Sequence, residues 1–157
     1  MDRDALDAMI AATDPAMVVV TCVAGGESAG CLVGFHSQCG IDPVRYVVWI
    51  SRVNHTFGVA MVADELVVHL LDADDHDLAA MFGGLTGDEV DKSAMADAID
   101  AMAGPRIVGR RVAVLDVEGL DHVGVVLEPV ATHGDAPQQP HPLRLSDVGD
   151  IEPGHPA

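Results

Sequence analysis

The stretch that decides the fold is AMVVVTCVAGGESAGCLVGFHSQC, Ala16 to Cys39. Its first nine residues are a β-branched, apolar run, which predicts a strand. GGES follows and predicts a tight turn. AGCLVGFHSQC then returns as a second strand, so the two make a hairpin. The same grammar recurs downstream. IDPVRYVVWIS predicts a turn at Asp42-Pro43 and a buried strand over Arg45–Ser51. ELVVHLLD predicts another strand, and GRRVAVLDVEG with DHVGVVLEPVATH predicts a hairpin turning at Glu118–Leu120. PLRLSDV is expected to be a last strand.

Short helices are expected between these strands. Asp4–Thr13 sets Leu6, Met9 and Ile10 among aspartates in an amphipathic pattern that ends at Asp14-Pro15. NHTFGVAMVADE predicts a short helix. DADDHDLAAMFGG begins acidic and stops at Gly-Gly, the polarity a helix dipole favours. GDEVDKSAMADAIDAM is a weaker helix. Regular βαβ alternation is absent, so a doubly wound sheet is excluded in favour of an antiparallel barrel. The fold class is mainly β with short α-helices, six or seven strands in all. One domain is expected over residues 1–148, with 149–157 a loose tail.

Composition narrows the partners. The chain has 157 residues, 49% of them apolar but only 3% aromatic, and its net charge is −17. Such a surface repels phosphate backbones and anionic lipid, so neither nucleic acid nor a membrane is an expected partner. The start lacks a signal-peptide pattern, and the run Ala16–Ala24 is far short of the roughly 20 residues of a membrane span. Cys22, Cys31 and Cys39 form no CxxC pair, which fits reduced thiols in a cytoplasmic protein.

Several chemistries fail on spacing. GGESAG joins two strands, so it is no phosphate loop. The residues around Ser37 lack the GxSxG of a nucleophile elbow. His36 and Cys39, three apart on one strand, point to opposite faces and make a poor nucleophile–base pair. Asp72, Asp74, Asp75, His76 and Asp77 lack the glycine and distal glutamate of a calcium loop. Helix capping explains them, and no metal site is expected.

Two segments remain. In SRVNHTF, Ser51–Phe57, a strand runs into a helix start that Asn54 can cap. Ser51 and Thr56 add hydroxyls, and Arg52 and His55 add scarce positive charge, as a phosphate would need. An ordinary capped helix is the plain alternative. Just upstream, Gly34 and Gly40 let a flat ligand approach the backbone closely.

The order GCLVGFHSQCGIDPVRYVVWIS, NHT, LVVHLLDADDHDLAAMFGG and LDHVGVVLEPV resembles the flavin reductase-like family of FMN-binding split barrels. The likeness covers roughly residues 5–130. It implies a split β-barrel homodimer with FMN, or alternatively FAD, near the subunit interface; a deazaflavin also occurs on related barrels. It further implies contacts to the ring from Gly34, Phe35, His36, Ser37, Gln38 and Cys39. Phosphate contacts would come from Ser51, Arg52, Asn54, His55 and Thr56. His122, beside Asp121, would be the catalytic-side group, donating a hydrogen bond or positioning a nicotinamide.

The implied activity is NAD(P)H-dependent flavin reduction, with NADH or NADPH as reductant and an oxygenase as a possible partner. The chain also departs from the pattern. Pro43 is followed by Val44 rather than a second proline. Phe35, His36 and Gln38 replace a Ser-rich run, and Lys92–Gly109 is short. Only Phe35, Trp49 and Phe57 are candidates to stack on a nicotinamide ring. These departures keep open a flavin-binding protein for storage, sensing or electron relay, and a split-barrel dimer that has lost its cofactor.

Overall fold

The structure, a computed structural model, describes residues 1–84, 92–138 and 140–154. Among them seven strands form one antiparallel sheet. They are β1 (Val18–Ala24), β2 (Glu27–Val33), β3 (His36–Ile41), β4 (Val44–Ser51), β5 (Glu65–Leu70), β6 (Arg106–Leu115) and β7 (His122–His133). Their order across the sheet is β2-β1-β5-β6-β7-β4-β3.

That order explains the barrel. The two edge strands, β2 and β3, are consecutive in the chain and separated only by Gly34 and Phe35. So short a link spans at most about 11 Å, and the sheet must curl until its edges meet. The stretch expected to be one strand over Ala29–Cys39 is therefore two. The chain leaves β1, its partner through Val33, and joins β4 from His36. The pairing with β4 already begins at the link, where Trp49 N–H donates to Phe35 O at 2.9 Å.

Local chemistry sets the turns. Gly25 and Gly26 take φ of 58° and 78°, the left-handed pair that a two-residue hairpin loop requires. The β3–β4 turn has a cis Asp42-Pro43 bond and a register shift between Gln38 and Gly40. A Cβ on Gly40 would stand 2.7 Å from Pro43 O, so the returning backbone leaves room for glycine alone.

Side chains alternate across β1, and both faces are buried. Val18, Val20 and Cys22 point into the barrel with Val48, Ile50 and Leu127. Met17 and Val19 belong to a second core with Phe82, Met95, Leu143 and Val148. Burial on two faces accounts for the uninterrupted valine run. The helices are α1 (Arg3–Ala11), α2 (His55–Ala60), α3 (His76–Gly84) and α4 (Lys92–Asp100). Val59 and Ala60 of α2 close on the barrel core. Phe82 of α3 and Met95 of α4 supply the outer core. The weaker helix expected from Gly87 is α4, and its first part lies outside the described residues.

The segment expected to be a last strand is not one. Met17 N donates to Leu143 O and Leu143 N to Leu71 O, so residues near 143 lace β1 to the end of β5. The chain then enters a 3-10 helix, Leu145–Val148. Asp14, at φ 43°, ties this helix down by accepting from Ser146 N and Oγ, both at 2.8 Å. Residues 149–154, expected to be loose, lie against α3. Gly154 N donates to Gly83 O at 3.2 Å, and Ile151 packs on the outer core.

Candidate functional site

Where β2 breaks into β3, the barrel wall opens onto a cleft of ≈ 340 Å³. The volume sits at the low end of the range for small-ligand pockets, roughly 300–1,000 Å³. Gly34 and Phe35 of the link form one wall, and Trp49 and Ser51 of β4 form the next. Ser51 pairs directly with His122, and Trp49 with Gly124, across the β4–β7 ladder. Gly124 makes room for the indole, since a Cβ there would meet Trp49 Cζ3 and Cη2 at 3.1 Å. Phe82 and Gly83 of α3 come from the outer core, and Leu145, Val148 and Ile151 complete the lining.

His122 supplies the cleft's imidazole. Its Nδ1 lies 2.8 Å from Asp121 Oδ1. This hydrogen bond, with the attraction between the two charges, holds the Asp121 carboxyl below its usual range. An ionised carboxylate only accepts, so Nδ1 carries the proton of this bond. Phe35 tilts its ring at 56° to the imidazole, with centroids 5.1 Å apart.

Of the residues singled out in the sequence, Gly34, Phe35, Ser51, Asn54 and His122 meet on this cleft. His36 does not line it. Its Nε2 donates to Ala16 O at 2.7 Å, so Nδ1 accepts from Tyr46 O–H at 2.6 Å. It faces a separate cavity of ≈ 470 Å³ with Tyr46 and Leu71. Ser37, Gln38 and Cys39 are exposed on β3, and Gln38 Nε2 donates to Gly40 O. Cys22 and Cys31 are buried, and desolvation pushes both thiols up to about 12.

The Ser51–Thr56 segment is a capped helix start in which Asn54 Oδ1 accepts from Thr56 N at 2.9 Å. The Thr56 side chain is buried against the Cys31 thiol. His55 turns to Glu27 Oε1, 2.5 Å from its Nε2. Arg52 reaches across to the β6–β7 loop. Its Nε donates to Leu120 O at 2.8 Å and its Nη2 to Asp116. Phe57 packs on the barrel core rather than on the cleft. In the acidic run, Asp75 Oδ2 accepts from Asp72 N and Asp72 Oδ1 from Asp74 N, so these carboxylates brace the turn before α3.

Sequence reasoning missed three parts of the wall. Trp49 is expected from the sequence only as a stacking partner for nicotinamide. Phe82 and Gly83 belong to the FGG that ends α3. The wall from Leu145 onward carries no signal, because Leu145 and Val148 fall in the expected last strand and Ile151 in the expected loose tail.

The residues fit a planar heteroaromatic group. Three aromatic rings bound the cleft, and the floor is kept low at two glycines. A Cβ on Gly83 would press Leu32 Cδ2 at 3.0 Å, and one on Gly34 would meet Met17 Sδ at 3.3 Å.

Solved structures share this fold. One is an FMN-binding protein from Thermus thermophilus with bound 1-cyclohex-2-enone: TM-score 0.67, 20% identity, covering 77% of this chain and 71% of that one. A flavin reductase domain protein from Arthrobacter sp. FB24 gives TM-score 0.67 at 17% identity, covering 88% and 89%. A homolog of nitrilotriacetate monooxygenase component B from Mycobacterium thermoresistibile gives 0.65 at 18%, covering 88% and 82%. At these identities the likeness is one of fold, the FMN-binding split barrel. No curated protein matches the chain. The family model described as flavin reductase like domain matches residues 11–147. The chain belongs to the flavin reductase-like family.

Proposed function

We propose that the cleft binds a flavin, FMN or FAD, and that the protein is an NAD(P)H-dependent flavin reductase. The observation that carries this reading is the meeting of Phe35, Trp49 and Phe82 with a carboxylate-held imidazole in one cleft. When bound, the flavin supplies the chemistry, accepting hydride from a reduced nicotinamide. The chain supplies orientation. Gly34 and Gly83 keep the floor low, the aromatic rings give apolar walls, and Asp121 fixes the tautomer with which His122 faces a ring edge.

A homodimer in the cytoplasm goes with this reading. Val112, Val114 and Leu115 of β6 are exposed, as are Val117 and Leu120 beyond it, which gives a second copy an apolar face to cover. None of the described helices is long and apolar enough to cross a membrane. A partner oxygenase would consume the reduced flavin.

One purification tests the proposal. A yellow protein whose flavin spectrum bleaches with NADH or NADPH, and which turns over added flavin, supports the reductase. Flavin binding without bleaching supports the storage or relay reading instead. A colourless protein with no flavin affinity overturns both.

A further inference from the structure

The charged groups that could hold a phosphate beside the cleft are engaged elsewhere. The Arg52 guanidinium is spent on Asp116 and on Leu120 O, and its backbone N–H on Asp121 O at 2.9 Å. His55 is paired with Glu27. Thr56 N–H belongs to the Asn54 cap, and the Thr56 side chain is 2% exposed. Helix α2 has six residues and offers little macrodipole. Among the described residues, no Lys or Arg lines the cleft. A net charge of −17 adds a field that repels a dianion.

Resting on the flavin reading, we infer that this cleft recognises the uncharged ring end of its flavin and takes riboflavin about as tightly as FMN. Arg52 serves as a positioning residue. Its side chain staples the β6–β7 loop at Asp116 and Leu120, and its amide holds Asp121. Together they set the orientation of the Asp121–His122 pair at the cleft. Substrate choice is then made by ring shape and stacking, and the phosphate stays in solvent.

Equilibrium titration of the purified full chain with riboflavin, FMN and FAD, at low and high salt, tests this. The expected result is riboflavin and FMN dissociation constants within about threefold of each other, with little salt dependence. FMN binding more than about threefold tighter, weakening as salt rises, overturns the inference. Binding of no flavin at all overturns the flavin reading itself. Arg52→Lys keeps the charge but loses the two-point grip. It is expected to leave the FMN-to-riboflavin ratio unchanged while shifting the NMR resonances of the His122 ring. A ratio that changes in Arg52→Lys, or His122 ring resonances that do not, overturns the positioning role.

Discussion

Phe35 and His122 touch across the open seam of the barrel, with ring centroids 5.1 Å apart. One residue lies in the link between the sheet's two edges and the other begins β7, so their contact couples barrel closure to cleft shape. Aromatic pairs of this kind contribute roughly 0.5–1.5 kcal/mol. Phe35→Ala is expected to weaken flavin affinity by about 2- to 10-fold through loss of this wall. Fluorescence titration of the variant measures it. An unchanged dissociation constant would show that the flavin does not use the Phe35 wall.

Gly30 in β2 lies under Phe82. A Cβ there would stand 2.7 Å from Phe82 Cε1, and the ring is only 2% exposed. Overpacking at a site that cannot yield costs about 1–3 kcal/mol. Gly30→Ala is expected to lower the urea midpoint accordingly and to weaken flavin binding as well, because Phe82 is displaced towards the cleft.

His36 predicts the opposite division of effects. Its ring joins Tyr46 on β4 to the carbonyl of Ala16 ahead of β1. His36→Ala removes both bonds and leaves partly buried groups unpaired, at a cost of about 1–3 kcal/mol. Denaturation should report that loss, while flavin affinity should hold, since His36 lines another cavity. A flavin dissociation constant that rises with no change in stability would return His36 to the flavin site.

His69 predicts a pH dependence. The ring is 4% exposed, its Nε2 bonds Thr21 Oγ1 at 2.9 Å, and its Nδ1 has no hydrogen-bond partner among the described residues. Desolvation, reinforced by the nearby Arg106 charge, lowers its pKa from 6.5 to about 4. The unfolded chain therefore binds a proton between these values that the folded chain refuses, and stability falls as pH drops from 6.5 towards 4. The loss is on the order of 3 kcal/mol by pH 4. His69→Gln is expected to flatten that part of the stability–pH curve, measured by urea unfolding at several pH values.

Much of the barrel was legible because its strands are local events. The Gly25-Gly26 turn and the Val18–Val20 run name their own conformations, and the β6–β7 hairpin closes over a short loop. The break at Gly34 was not legible. LVGFHS keeps strand character on both sides of the bend, and only the far partner strands make β2 and β3 separate. The candidate site was legible where it coincides with a strand end, as at Ser51, or a helix cap, as at Asn54. It was illegible where side-chain direction decides. Arg52 sits beside the cleft in sequence yet reaches away to Asp116, a carboxylate 64 residues on. The last strand failed for a similar reason: PLRLSDV has strand composition, but Asp14 draws Ser146 into a 3-10 helix.

The docking of residues 145–153 on the cleft wall has a thermodynamic consequence. A ligand that touches Val148 or Ile151 binds the docked form better than a peeled one. By linkage, the ligand then secures the segment as strongly as the segment secures the ligand. Protease sensitivity near Ile151 should therefore fall as flavin is added. Asp150, held to His76 at 2.9 Å, lies within the same coupled unit.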